Sequence, residues 1–122
     1  MFEPIRVLTR PKVAGLVTHW GVEFPEGFVV DYTKDHGLRF TTIREFGEGM
    51  PITVVREIPW ALSAVVRERL EQVRRNPKQY DVLLWNCETF AEWLVAGVPK
   101  SAQVVGVLAV LGLLLAVVAA RS

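Results

Sequence analysis

Asn86-Cys87-Glu88-Thr89-Phe90-Ala91-Glu92-Trp93-Leu94, residues 86–94, is the stretch on which the reading of this chain turns. Asn86 has the side chain of an N-cap, and Phe90, Trp93 and Leu94 fall on one stripe at helical spacing before Gly97 and Pro99 stop the run. The spacing predicts a helix that starts at Cys87. A second helical pattern lies upstream, with Leu62, Val65, Val66, Leu70 and Val73 on one face and Arg67, Glu68 and Arg74 on the other, ending near Asn76-Pro77.

Before Pro59 the pattern is different. Val13 to Val17, Phe28 to Tyr32, Leu38 to Ile43 and Ile52 to Arg56 are short β-branched or aromatic runs bounded by turn residues. Pro25-Glu26-Gly27 fits a hairpin turn, and Gly47-Glu48-Gly49-Met50-Pro51 fits a longer connection. Strands followed by helices imply an α+β domain with a small antiparallel sheet and packed helices.

The composition narrows the function. In 122 residues there is room for one core. Fourteen basic and thirteen acidic side chains leave a net charge of +1, with no basic stripe to gather phosphate backbones, so nucleic acid is not an expected partner. One cysteine excludes an intrachain disulfide and a thiolate zinc cluster built by this chain alone. No metal and no cofactor is expected, and the role of Cys87 is packing or chemistry.

Its position favours chemistry. In the first turn of a helix, unpaired amides and the positive end of the helix dipole stabilise a thiolate. The same amides, the Cys87 N–H among them, can receive an oxyanion formed when that thiolate attacks a carbonyl. A cysteine nucleophile needs a base, and the chain offers His19 and His36. His19, beside the predicted strand Val13 to Val17 and ahead of Trp20-Gly21-Val22, is the better placed; His36 falls in the polar loop Thr33 to Gly37. Asp31, at the end of the paired strand, is the candidate to orient the imidazole and favour its charged form.

These residues resemble those of the lecithin:retinol acyltransferase family of small phospholipase A and acyltransferase enzymes. Thr18-His19-Trp20-Gly21-Val22 is similar to the family's histidine motif, and Asp31 lies twelve positions on, where many members carry a second histidine. Asn86-Cys87-Glu88-Thr89-Phe90 is similar to the asparagine-cysteine-glutamate-histidine-phenylalanine motif around the nucleophile, preceded by a tyrosine-led strand, here Tyr80 to Trp85. Thr89 departs from that motif's histidine. The resemblance runs from about Ile5 to Ala120 and implies a circularly permuted papain-like fold, with His before Cys in the chain. It also implies a catalytic domain over 1–100 and a catalytic set of Cys87, His19 and Asp31. The implied substrate is a phospholipid or related lipid ester.

From Val104 to Ala120 every residue is apolar or glycine. As a helix this run spans roughly 26 Å, enough to cross a bilayer hydrocarbon core with little to spare. Residues 101–122 are therefore expected to form a transmembrane anchor, and the alternative is a helix buried in the core. With no signal-peptide pattern over Met1 to Pro11, the expected topology is a single-pass C-terminal anchor with the catalytic domain facing the cytosol. Two other functions share these features: a cysteine peptidase or amidase on a peptide or isopeptide bond, and a membrane-anchored interaction or membrane-remodelling module without chemistry.

Overall fold

The computed structural model describes residues 3–12, 15, 17–82 and 84–98, and the backbone of 102–121 with side chains at 109–116 and 118–120. It is an α+β fold. Five strands form one antiparallel sheet: β1 (Ile5–Lys12), β2 (Val17–Glu23), β3 (Phe28–Thr33), β4 (Gly37–Thr42) and β5 (Thr53–Ile58), in the order β4-β3-β2-β1-β5. The helices are α1 (Ile43–Gly47), α2 (Ser63–Arg75), entered through a 3₁₀ turn at Trp60–Leu62, α3 (Cys87–Ala96) and α4 (Ala102–Arg121).

The sheet buries both faces unequally. On one, Ile5 and Val7 of β1, Val22 of β2 and Val30 and Tyr32 of β3 pack with Val66, Leu70 and Val73 of α2 and Phe90 and Leu94 of α3. The alternate residues face the other way, as the two-residue period of a strand requires. There Leu8 and Val29 meet Phe46 of α1, with Ile52 alongside. Phe24 closes the β2–β3 turn, accepting from the Gly27 N–H at 2.9 Å and donating to Phe28 at 3.0 Å, so Pro25-Glu26-Gly27 is the expected turn.

Both predicted helices in the second half form where the periodicity puts them, with Asn86 capping α3 and Gly97 ending it in the left-handed region at φ 78°. The first half needs correction. The strand expected over Val13 to Val17 is instead Val17–Glu23, and Val13, Ala14 and Leu16 lie outside the described residues. β1 was not anticipated, because two arginines interrupt an otherwise alternating Ile5, Val7 and Thr9. β4 is shifted one residue back from the run Leu38 to Ile43, and β5 starts one residue later and ends two later than the run Ile52 to Arg56. Ile43 opens α1, a helix of one turn whose Thr42 cap accepts from the Glu45 N–H.

The segment Tyr80 to Trp85 is not a strand either. It is a tight turn closed by one antiparallel bridge, Asp81 with Trp85. Residues 102–121 are helical, and their described side chains are exposed. Among the described residues no helix is long and apolar enough to cross a membrane. The expected anchor rests on a sequence run of which residues 101–108 carry no described side chains.

Candidate active site

The pairing of β2 with β3 is short. Gly21, Val22 and Glu23 lie opposite Asp31, Val30 and Val29, and the pairing stops at Gly21, so the earlier part of β2 parts from β3. The N-terminus of α3 enters this opening. The Cys87 thiol points at the Thr18 carbonyl, 3.9 Å away, and takes a hydrogen bond from the Trp20 N–H. Backbone that would otherwise bond a neighbouring strand thus holds the sulfur.

Cys87 is held from its other side by the cap. The Asn86 side chain accepts from the Thr89 N–H at 2.9 Å, and Thr89 Oγ1 accepts from the Asn86 N–H at 2.6 Å. This reciprocal pair is a capping box, and it fixes the first turn of α3 around Cys87. Thr89, where the resembled motif has histidine, therefore has a local role that its hydroxyl fills.

His19 lies in the middle of the opening part of β2 and is buried, with 4% of its surface exposed. Its Nε2 is 2.8 Å from Asp31 Oδ2, which leaves Nδ1 for the interaction with Cys87 that helps to raise the imidazole pKa. The Phe46 ring stacks on the imidazole at 5.4 Å between centroids. Gly21 makes room for that ring, since a Cβ there would come within 2.5 Å of Phe46 Cε1. Arg10, opposite His19 across β1 and β2, donates from Nε to the Phe46 carbonyl at 2.5 Å and pairs with Glu48 at 3.1 Å, tying α1 to the sheet.

Asp31 is fully buried and carries two partners. Arg39, its register neighbour on β4, donates from Nε to Oδ1 at 3.0 Å and from Nη2 to Oδ2 at 2.6 Å. Burial pushes the Asp31 carboxyl up, but hydrogen bonds from His19 and Arg39 and their charges hold it below the ordinary carboxylate value. For His19, burial acts downward and is outweighed by the hydrogen bonds with Asp31 and Cys87 and their negative charges, so its pKa is raised. Burial pushes the Cys87 thiol up, while the hydrogen bond and charge of His19, the Trp20 N–H and the charge of Lys12 bring it below the ordinary value. The two shifts run in the directions that populate a thiolate–imidazolium pair.

All three residues singled out in the sequence, Cys87, His19 and Asp31, are therefore brought together. His36 is not part of this chain of contacts. Its N–H donates to Thr33 Oγ1 at 3.0 Å, and its side chain lines a cleft of ≈ 300 Å³ that reaches His19. Lys12, Lys34, Asp35 and Tyr80 line the same cleft. Cys87 is only 3% exposed.

Sequence reasoning missed Arg39, whose signal was available as a basic residue opposite Asp31 in adjacent strands. It also missed the Thr89 half of the cap. No group of three or more His, Cys, Asp or Glu side chains able to hold a metal ion gathers among the described residues. No family model matches the chain, and no curated protein or solved structure matches it.

Proposed function

We propose that this protein is a thiol acyltransferase or phospholipase A-type hydrolase that acts on phospholipid or related lipid esters through an acyl-Cys87 intermediate. One observation carries the reading: a buried cysteine in the first turn of a capped helix interacts with an imidazole whose Nε2 meets a buried carboxylate at 2.8 Å. That arrangement supplies a nucleophile, a proton carrier and an orienting charge.

The steps follow from the contacts. The Cys87 thiolate adds to the ester carbonyl, and the oxyanion is received at the Cys87 N–H, which has no carbonyl partner inside the helix. As the tetrahedral intermediate collapses, the C–O bond breaks and protonated His19 gives its proton to the leaving alkoxide. A thioester on Cys87 remains. Neutral His19 then takes a proton from water or an acceptor alcohol or amine as it attacks, the acyl group leaves, and the thiolate–imidazolium pair is restored.

The lipid assignment rests on the resemblance to lecithin:retinol acyltransferase enzymes, with its permuted papain-like fold and catalytic domain over 1–100. It rests also on the apolar run Val104 to Ala120, read as a single-pass anchor with the domain on the cytosolic side. An anchor of this kind concentrates the active site at its substrate. The polar lining of the cleft favours a second reading, a peptidase or amidase, because Lys12, Lys34 and Asp35 suit a polar chain better than an acyl tail. Incubation of the full chain with a short-chain phospholipid and with a peptide thioester, followed by intact mass, separates the two. An acyl mass from the phospholipid that disappears in Cys87→Ala supports the proposal; peptide-derived mass alone overturns the lipid assignment.

A further inference from the structure

The turn Asp81–Trp85, of which residue 83 lies outside the described residues, stands directly before the Cys87 helix and is tied by several hydrogen bonds. Asp81 and Trp85 exchange backbone hydrogen bonds at 2.9 and 2.8 Å, the Leu84 N–H donates to the Asp81 carboxylate at 3.0 Å, and Asn86 Nδ2 donates to the Val82 carbonyl at 2.9 Å. Yet this braced turn presents aliphatic side chains to solvent. Val82 is 67% exposed and Leu84 75%, more than any other described large apolar side chain outside α4. Turns ordinarily carry polar residues at such tips. Here backbone and side-chain hydrogen bonds hold two hydrocarbon side chains outward, within five residues of Cys87.

A lysine lies against the turn, and two more line the adjoining cleft. Lys78 lies over the Trp85 ring at 4.4 Å from its centroid. Tyr80, the residue before the turn, lines the cleft together with Lys12 and Lys34. The arginines on that cleft are neutralised, Arg10 by Glu48 and Arg39 by Asp31, which leaves two lysines, Lys12 and Lys34, against Asp35. An apolar tip inside a cationic rim is complementary to a bilayer surface that offers hydrocarbon below and anionic headgroups above.

We propose that the turn Asp81–Trp85 is the membrane-contacting tip of the domain, with Val82 and Leu84 entering the acyl boundary of an anionic lipid surface and the lysines at headgroup level. The inference rests on the lipid reading of the active site. It adds the orientation: the N-terminus of α3, and with it Cys87, faces the bilayer, so an ester carbonyl has a short path from the lipid to the cleft.

The test uses the full chain in vesicles of phosphatidylcholine with a fraction of phosphatidylserine, carrying Leu84→p-benzoylphenylalanine or, as control, Val55→p-benzoylphenylalanine on the exposed edge strand β5. Irradiation is expected to give several-fold more lipid adduct at 84 than at 55. In parallel, Val82→Ser with Leu84→Ser is expected to slow turnover of a vesicle-embedded ester by at least about tenfold, from lost aliphatic burial, and to leave a soluble short-chain ester unaffected. Equal adducts at the two positions, or adduct to protein in place of lipid at 84, overturn the tip. A lipid adduct at 84 in a protein with no esterase activity supports the tip while the acyl-transfer reading fails, so the two failures are distinct.

Discussion

His19 Nε2 lies 2.8 Å from Asp31 Oδ2, and the same carboxylate oxygen accepts from Arg39 Nη2 at 2.6 Å. The imidazole is therefore aimed by an anion that is itself held in place, and Asp31 has two separable functions. It orients and charges His19, and it neutralises Arg39. In Asp31→Asn a hydrogen-bonding oxygen can remain for the ring, but the charge is lost to both partners. The expected result is a fall in kcat/KM of about 10- to 100-fold, milder than loss of the nucleophile, with a stability loss of about 1–3 kcal/mol from Arg39 left without its anion. Kinetics with a soluble ester and urea denaturation check the two numbers separately; an unchanged rate removes Asp31 from the site.

Cys87→Ala and His19→Ala are each expected to abolish turnover, and the double variant to be no worse, because the two groups serve one step. Cys87 is small and buried, so its loss is expected to cost under about 2 kcal/mol and the circular dichroism spectrum is expected to be unchanged. A folded Cys87→Ala protein with near normal rates would remove the enzyme reading altogether. His36→Ala, by contrast, is expected to retain activity, since His36 stands on the cleft wall and lies outside the chain of contacts from Cys87 through His19 to Asp31.

The helix half of the fold was legible because its signals are local. Asn86, the stripe of Phe90, Trp93 and Leu94, and Gly97 each act within one or two turns, and α3 begins and ends where they place it. The sheet half was less so. Arg10 and Arg39 are drawn in by Phe46 and Asp31, partners 36 and 8 residues away, which no local pattern marks. His19 was legible by type, but its burial in β2 depends on β3 diverging at Gly21, which no local pattern encodes. Thr89 was visible only as a departure from a motif, although a threonine three residues after a capping Asn can complete a reciprocal cap.

That cap gives a prediction independent of the chemistry. Thr89→Val removes the hydroxyl that accepts from the Asn86 N–H while keeping shape, and Asn86→Ala removes the oxygen that accepts from the Thr89 N–H. Each is expected to cost about 1 kcal/mol, and the double variant less than the sum, because the two bonds form one unit. Thr89→Ser is expected to be close to neutral. Additive losses in thermal unfolding would show that the bonds act separately.

Gly21→Ala tests the support behind the imidazole. The added Cβ would stand 2.5 Å from Phe46 Cε1 and 3.0 Å from Val29 Cγ1, a ring and a β-branched side chain with no free end to swing away. Overpacking of this kind typically costs about 1–3 kcal/mol. Because Phe46 stacks on His19, activity is expected to fall together with stability, and Phe46→Leu in the same background is expected to recover part of the stability but not the stacked ring.

The pH dependence follows from the directions of three shifts. The reactive form is thiolate with imidazolium, so the acid limb of the rate profile reports Cys87 gaining its proton and the alkaline limb reports His19 losing its own, as apparent values of the pair. Cys87 is lowered and His19 raised, so the pH range over which the ion pair is populated is broader than for the unperturbed groups. For stability, the raised His19 contributes fully below its ordinary value of 6.5, and the contribution is lost as pH rises through the higher folded value. The lowered Asp31 contributes above its ordinary value of 3.8, and that contribution is lost as pH falls through the lower folded value. Asp31→Asn removes the hydrogen bond and the charge that raise His19, so its alkaline limb is expected to move to lower pH while the acid limb moves little. A pH–rate profile of both proteins on one soluble ester decides it: an alkaline limb that stays in place in Asp31→Asn would mean that Asp31 does not set the charge state of His19.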